Sequence, residues 1–167
     1  MSADQFPHWL KLSLNKIVKD GACEAIPGII VDQDGHGSQA DGGTEEWVRV
    51  HVLTSQSDTN KPEEWRGDFF LQVSCFSRYG EDRRDRKIHR PSEIAALISA
   101  QISSRKHLVM DHDADSPVER GNFWIPKPKT TYLDEAELAQ GSNQGEIASN
   151  IHSEVLSYRG QAVNKEY

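Results

Sequence analysis

The acidic run at residues 111–115 comes nearest, in residue types and spacing, to a metal-binding site. Three aspartates alternate there with a histidine and an alanine, as carboxylates do at the start of a calcium-binding loop. Such a loop also needs glycine at its sixth position and glutamate at its twelfth, where this chain has Ser116 and Asn122. The spacing therefore favours an acidic turn exposed to solvent.

A second group of possible metal ligands consists of Asp32, Asp34 and His36. These residues lie in the glycine-rich stretch 32–44, where no predicted helix or strand holds them, so a mobile surface loop is the simpler interpretation. No two histidines have zinc-protease spacing, no serine lies in a nucleophile elbow, and no phosphate-binding lysine follows the glycines. We therefore predict a protein without catalytic residues, cofactor or bound metal.

A metal-dependent enzyme remains open as a remote alternative. It would require His51, His107, His112 and the carboxylates of residues 111–115 to converge in the folded chain. Stoichiometric zinc or calcium in the purified protein would support this alternative.

A cluster of cations follows the second long strand of the predicted fold, in a chain that is acidic overall. Carboxylates at positions 81, 82 and 85 are interleaved with these cations, which favours ion pairs within or between subunits over phosphate binding. Local contact with DNA and a plain solvated turn stay open as alternatives. The candidate subunit-interface residues are Arg78, Arg83, Arg84, Arg86, Lys87 and Arg90.

Length, charge and cysteine usage limit the class of protein. With 167 residues and a formal net charge of −7, the chain is most simply a single domain and not a general nucleic-acid binder. No apolar run approaches the roughly 18 residues that cross a bilayer, and the first residues lack a signal-peptide pattern. Cys23 and Cys75 are expected to be reduced, the second in a buried strand. We expect the protein to work in a cytoplasm, or in a particle assembled there, without a membrane partner.

Two amphipathic helices are predicted from apolar residues at helical spacing. The first covers residues 7–19, with Pro7 in its first turn and Gly21 as its stop. The second covers residues 91–105 and begins at Pro91. The apolar stripes are Phe6, Leu10, Leu14, Ile17 and Val18 in the first helix, and Ile94, Ala95, Leu97, Ile98 and Ile102 in the second.

Two long strands, at residues 47–53 and 67–76, are predicted from alternating apolar and polar side chains, and they are expected to pair antiparallel. Their buried faces carry Val48, Val50 and Val52 in the first strand and Phe69, Leu71, Val73 and Cys75 in the second. Shorter strands are predicted at 25–31, 107–110, 122–131 and 151–158, the first of them at a sheet edge because Pro27 and Gly28 interrupt it. In the strand at 122–131, Pro126 and Pro128 are expected to leave the end extended and unpaired.

These elements predict the α+β class. One domain over residues 1–167 would hold a mixed or antiparallel sheet of about 4–6 strands packed against two α-helices. Long loops are expected at about 32–44, 55–66, 111–121 and 134–150.

The order of these elements resembles that of the tail terminator, or tail completion, proteins of long-tailed bacteriophages. The segments that carry the resemblance include the eight residues Arg-Gly-Asp-Phe-Phe-Leu-Gln-Val at 66–73, which in such proteins commonly occupy the second long strand. The other segments are the helix around 9–18, the strand pair 47–53 and 67–76, the turn 79–87, the helix 91–104 and the ending 151–160.

The resemblance implies a structural virion protein of the tail or neck, without catalysis. Such proteins form a homo-oligomeric ring, expected to be a hexamer, that caps the tail tube protein and stops tube polymerisation. The ring then provides the interface to the head-closure or connector protein, while DNA passes through the lumen without specific binding. A ring of acidic subunits would favour this passage, because a negative wall repels the DNA backbone. Another neck component or a tail-tube subunit is the alternative.

Overall fold

The computed structural model describes residues 5–41, 43–57, 64–78, 89–133 and 151–164, with the backbone alone at 132 and 133. Its described elements are two helices and seven strands. In chain order they are α1 (Phe6–Ala25), β1 (Ile30–Asp32), β2 (Glu46–Gln56), β3 (Arg66–Arg78), α2 (Arg90–Ile102), β4 (Arg105–Asp111), β5 (Val118–Ile125), β6 (Lys129–Leu133) and β7 (Ile151–Asn164).

The seven strands form one mixed sheet in the order β1, β2, β3, β7, β5, β4, with β6 pairing beside β7. Only β1 runs parallel to its neighbour; the other pairings in this described sheet are antiparallel. Both helices contribute to a single hydrophobic core with the sheet. The predicted α+β class is confirmed, with one strand more than the upper end of the predicted range.

The two long central strands confirm the sequence prediction. β2 and β3 pair antiparallel with Val50 opposite Val73 and Val52 opposite Leu71, and the predicted apolar faces are buried. Both strands are longer than predicted, so the expected loop at 55–66 is shorter; residues 58–63 lie outside the described residues. Burial, with a smaller effect of Glu154, raises the pKa of the Cys75 thiol to about 12, as expected for a reduced cysteine in a core.

The first helix is longer than the predicted 7–19. It continues through Gly21 to Ala25, because the glycine faces α2: a Cβ at position 21 would lie 2.9 Å from Cγ2 of Ile102. Gly21 therefore permits close helix packing and does not stop the helix. The helix ends before Pro27, whose ring disfavours a helical conformation at the preceding residue. The predicted edge strand at 25–31 is accordingly reduced to β1, which does lie at the sheet edge.

The second helix packs on the sheet through its isoleucines and Ala95, as predicted. Leu97 is an exception, because its side chain is 42% exposed and lies outside the core. The helix ends at Ile102, three residues before the predicted end, and β4 starts almost at once. Ser104 joins the two elements with a positive φ of 56°, an uncommon conformation for a residue other than glycine.

The strand predicted at 122–131 is confirmed up to Ile125, and the chain leaves the ladder at Pro126 as expected, but residues 129–131 belong to a second strand that was not predicted. β5 begins at Val118, and Pro126 and Pro128 separate it from β6. Proline donates no backbone hydrogen bond, so the ladder is interrupted where the chain passes from one part of the sheet to another. The predicted loop at 111–121 is consequently reduced to residues 112–117.

The C-terminal strand β7 is the longest strand described and lies inside the sheet, between β3 and both β5 and β6. Its first half pairs with β6 and its end with β5, so its partner changes near Gly160. A Cβ at Gly160 would clash with the Phe69 ring and would lie 2.7 Å from the carbonyl oxygen of Trp124. This position needs glycine because backbone and ring approach so closely. The predicted loop at 134–150 lies outside the described residues.

Candidate interaction surface at the strand ends

The described members of the predicted basic group lie at the end of the sheet where β2 begins and β3 ends. Arg78 is the last residue of β3, and Arg90 is the first residue of α2. Around them lie Glu46, Trp47 and Phe76, and we call these five residues the strand-end cluster. The segment that joins β3 to α2 contains Arg83, Arg84, Arg86 and Lys87, all of which lie outside the described residues.

The aromatic part of the strand-end cluster is a cross-strand pair. Trp47 and Phe76 are directly opposed in the β2–β3 register, and their rings stack with centroids 4.9 Å apart. The guanidinium of Arg78 lies 5.5 Å from the Trp47 ring, and that of Arg49 lies 5.5 Å from the Phe76 ring. These cation–π contacts help to bury Trp47, although the alternation of β2 places it on the face opposite the helices.

Arg90 joins α2 to β2 through charge-assisted hydrogen bonds. Its Nε donates to Oε1 of Glu46 at 2.7 Å and its Nη2 to Oε2 at 3.2 Å, a two-point contact with one carboxylate. Its Nη1 also donates to Glu93 at 3.0 Å. The hydrogen bond that Arg90 donates to Glu46 is the largest cause of its pKa being raised above the ordinary arginine value, so Arg90 stays charged. Its charge is thus compensated within the same chain.

Arg78 holds the preceding loop against the end of β3. Its backbone N–H donates to the carbonyl of Glu45 at 2.7 Å, and its Nη2 contacts the carbonyl oxygen of Asp41 at 3.5 Å. Whether Arg78 and Arg90 also face another subunit stays a prediction, as does the interface role of the four basic residues between them.

The loop between β1 and β2 is organised by its own carboxylates, whereas the sequence predicted a mobile segment. Asp32 accepts hydrogen bonds from the backbone N–H of Gln39 at 2.6 Å and from the hydroxyl of Ser38 at 2.7 Å. Burial alone raises the pKa of Asp32, but these hydrogen bonds outweigh it and hold the pKa below its usual value. Asp41 in turn accepts from the N–H of Gly43 at 2.8 Å.

Asp34 links this loop to the exposed edge of β2. Its carboxylate accepts the Val52 N–H at 3.0 Å, beyond the point where β1 has ended, and it lies 3.1 Å from Nζ of Lys11. Burial raises the pKa of Asp34. The hydrogen bond from Val52 and the nearby charge of Lys11 together lower it by more, so the net shift is downward. Asp32, Asp34 and His36 form the second predicted group of possible metal ligands. Within the described ranges, no three ligand-type side chains lie close enough together to hold an ion.

The acidic run at 111–115 starts at a residue that belongs to β4. Asp111 is buried, and its Oδ2 accepts from Nη2 of Arg120 at 2.8 Å. That hydrogen bond is the main reason why the pKa of Asp111 is lowered. The Arg120 guanidinium also lies 5.0 Å from the ring of Trp9, so the pair fixes the β4–β5 hairpin against α1. The predicted solvated turn is confined to the exposed residues that follow.

Sequence reasoning missed the partners of the arginines. Glu93 could have been found, because it lies three residues after Arg90 on one helix, a spacing at which opposite charges meet. The contact of Arg90 with Glu46 gives no local signal, since the two residues are far apart along the chain and meet only when α2 packs on β2.

Comparison with known proteins finds similar folds among solved structures, two of which are described below. No family model matches the chain, and no curated protein matches it. One solved chain, from a structure described as the virion of a native gene transfer agent particle, is 12% identical; the similarity covers 93% of this chain and 95% of that chain, with a TM-score of 0.47. A second solved structure, whose description states no function, is 12% identical with 96% of each chain covered and a TM-score of 0.54.

At this identity the second similarity supports the fold alone, and the first, with its lower TM-score, supports no conclusion about function. No described helix is long and apolar enough to cross a membrane.

Proposed function

We propose that this protein is a structural component of a phage-like virion, a tail terminator. In this proposal it assembles into a homo-oligomeric ring, expected to be hexameric, that caps the tail tube and stops its growth. The ring offers its other side to the head-closure or connector protein, and DNA passes through its lumen without specific binding. The protein has no catalytic role and needs no cofactor.

The order of secondary structure elements supports this proposal. The sequence resemblance to tail terminators implied a helix, a long strand pair, a charged link, a second helix, further strands and a late terminal strand, and the fold has these elements in that order. The segment 66–73, which carries the most specific part of the resemblance, forms the first half of the central strand β3.

An open sheet edge is the geometric observation that favours assembly most. β6 pairs with β7 through Lys129–Leu133, and no other strand of the described sheet lies along its far edge. Elsewhere along the sheet border, side chains bind backbone N–H groups: the hydroxyl of Ser13 accepts the Met110 N–H of β4 at 2.9 Å, and Asp34 accepts the Val52 N–H of β2 where β1 has ended. An exposed edge such as that of β6 can pair with a neighbouring chain, as a ring of subunits requires.

Charge supports the path of DNA through such a ring. Each subunit carries a formal net charge of −7, so six copies would form a strongly acidic assembly. An acidic lumen repels phosphates and lets DNA pass without adhering. This role requires the acidic loops to face the lumen and the basic residues to be used in contacts between proteins.

The proposal is tested by measuring whether the chain forms a ring and whether that ring binds the ends of tail tubes. Native mass spectrometry would be performed on the purified chain alone, and negative-stain microscopy would follow on its mixture with tail tubes from a phage that carries it. A closed ring bound to one end of each tube is the expected result. Tubes that keep growing in its presence, with no ring at their ends, would contradict the terminator role.

Two other outcomes would identify different neck or tail functions. Open-ended polymers of the chain by itself would indicate a tail-tube subunit, because a terminator stops at one ring. Binding to the head connector with no affinity for tube ends would indicate another neck component, such as a head-closure or adaptor protein.

A further inference from the structure

The face of the sheet opposite the helices carries an exposed patch of mixed apolar and basic side chains. Leu53, Phe70 and Arg159 lie in one row, because Leu53 is opposite Phe70 and Phe70 is opposite Arg159 in the strand register. Trp124 and Lys106 are opposite each other on β5 and β4, and Leu108 follows on the same side of β4. We call these six residues the outer patch.

Large apolar side chains are concentrated on the outer patch. Four large hydrophobic residues are strongly exposed in the described part of the chain, and three of them belong to the patch: Leu53 at 54%, Leu108 at 44% and Trp124 at 53%. The fourth, Leu97, lies on α2. Such a concentration of exposed apolar surface is typical of an interaction site.

The patch is also concave and basic. A cleft of about 660 Å³ is lined by Leu53, Phe70 and Arg159, and a second cleft of about 420 Å³ is lined by Lys106 and Trp124; both reach Gln161. Arg66 borders the second cleft as a third cation and lies 3.6 Å from the carboxylate of Glu64, and Asp68 is the one carboxylate that lines the first cleft. The whole chain is nevertheless acidic, with a net charge of −7. The rest of the surface therefore carries an even larger excess of negative charge than the whole chain does.

We infer that the outer patch docks an acidic surface of a second copy of this chain. This inference rests on the proposed ring and specifies one of its contact surfaces. Two copies of a patch with net positive charge repel each other, which makes a two-fold contact through the patch unfavourable. Net charge favours contact with a different, acidic surface of the next copy, and such head-to-tail contacts are the kind that generate rings.

A protein partner fits the outer patch better than a nucleic acid does. Four of its six side chains are apolar and two are cationic, and they alternate across neighbouring strands, a mixture that suits protein interfaces, where tryptophan and arginine often dominate the affinity. Leucine side chains form no favourable contact with phosphates, and the carboxylate of Asp68 would repel the phosphates. Among protein partners, a second copy supplies the acidic surface that the patch requires.

The test compares self-association of patch variants with that of matched controls. Trp124→Asp removes the exposed aromatic side chain, and the double variant Lys106→Glu/Arg159→Glu reverses the charge of the patch. Leu97→Asp is the control for the first, and Lys19→Glu/Arg105→Glu is the control for the second because it causes the same change in net charge. Arg105 directly precedes Lys106 but belongs to the opposite side of β4.

Sedimentation velocity and native mass spectrometry would give the dissociation constant of each variant, after circular dichroism has established that it is folded. Both patch variants are expected to weaken self-association at least about tenfold, and both controls are expected to match the wild type. Raising the salt concentration should weaken the wild type and the controls, because opposite charges meet across the contact. The charge variant changes only exposed side chains, so it keeps the test valid if Trp124→Asp does not fold.

A mixing experiment tests the head-to-tail geometry. A labelled Lys106→Glu/Arg159→Glu chain keeps its acidic surface, so it is expected to dock on wild-type patches and to end the assembly there, giving incomplete oligomers. Failure of the labelled chain to join wild-type assemblies would overturn the head-to-tail contact.

Three results would overturn this inference without deciding whether the proposed function is correct. Rings that form equally well with the patch variants would show that the ring uses other surfaces. A wild-type chain that stays monomeric in solution but caps tube ends would show that the patch does not drive self-association. Binding of labelled duplex DNA that Lys106→Glu/Arg159→Glu abolishes and Lys19→Glu/Arg105→Glu does not would assign the patch to nucleic acid.

Discussion

The two faces of the central sheet are built from the same strands but differ in what they contact. On the inner face, Leu71 and Val73 are fully buried beneath the two helices. On the outer face, the neighbouring residues Phe70 and Gln72 are only partly buried, and Leu53 is half exposed. The alternation of β2 and β3 thus separates a surface that stabilises the fold from one that is available for contacts.

This difference shows that apolar character alone does not identify the core. Leu53 and Val52 are adjacent and both hydrophobic, yet Val52 is 2% exposed and Leu53 is 54% exposed. What distinguishes Leu53, Leu108 and Trp124 from the equally exposed Leu97 is that the three lie on one face of the sheet, and the proposed contact with a second copy would cover them together.

The largest expected effect comes from shortening one leucine on each face. Leu71→Ala should reduce the free energy of unfolding by about 3 kcal/mol, because it opens a cavity in a core that cannot collapse fully. Leu53→Ala should change it by less than about 0.5 kcal/mol. Urea denaturation with unchanged m-values measures both. Equal losses at the two positions would mean that the outer face is covered within the isolated chain.

A smaller loss is expected from Gly160→Ala, which adds a methyl group at a tightly packed position of the inner face. The new Cβ would meet the ring of Phe69 and the backbone of Trp124, so the variant should lose about 1–3 kcal/mol of unfolding free energy. Gly37→Ala is the control, since nothing lies within 4 Å of the added Cβ there. Thermal and urea denaturation would compare the two, and a Gly160→Ala protein as stable as the control would disprove the close packing.

The charged contact between α2 and β2 should contribute less than the apolar face beside it. Glu46→Gln keeps the shape of the side chain but weakens its bonds to Arg90, and we expect a loss of about 1 kcal/mol because the pair is partly exposed. Asp20→Asn breaks the exposed pair with Lys16 and should cost less than about 0.5 kcal/mol. If the two variants have the same stability in denaturation at low salt, the Arg90 contact does not anchor the helix.

The smallest effect concerns Asp34 at the edge of β2, and it depends on pH. The pKa of Asp34 is lower in the folded chain than its usual value, so its contribution is fully present above that usual value and is lost as pH falls through the folded pKa. Asp34→Asn should therefore cost less than about 1 kcal/mol at neutral pH, and its difference from the wild type should shrink as the solution is acidified below that usual value. Urea denaturation from neutral pH down to the most acidic pH at which the chain stays folded measures this convergence. Asp113→Asn, at a carboxylate whose side chain is 72% exposed, is the control and should show almost no effect. A constant difference at all pH values would contradict the role of the Asp34 charge.

Periodicity predicted the parts of the fold that depend on neighbouring residues. The valines of β2, the alternating residues of β3 and the isoleucines of α2 were placed on the correct faces, because a half-buried strand or helix imposes its period on the sequence. Leu97 was predicted to be buried but is exposed, because the stripe of apolar residues on the helix is wider than the surface that the helix buries. Gly21 was misread as a helix stop because its close neighbour, Ile102, lies on another helix.

The candidate site was predictable only in part. The sequence identified Arg78 and Arg90 as members of a basic group. It gave no sign that Trp47 would stack on Phe76 or that Glu46 would accept hydrogen bonds from Arg90. The outer patch was not predicted at all. Its members come from five strands, and the pairing of those strands places them on one surface.

The sequence by itself determined the helices, the long strand pair, the acidic balance and the alternation that divides inner from outer side chains, because each of these is a property of residues close together along the chain. Tertiary structure alone decided that β7 lies inside the sheet, that β5 and β6 separate, and that Lys106 and Arg159 lie on one surface. These features depend on the pairing of strands that are distant along the chain, such as the pairing that places Phe69 opposite Gly160, and local patterns of residues do not encode which strands pair.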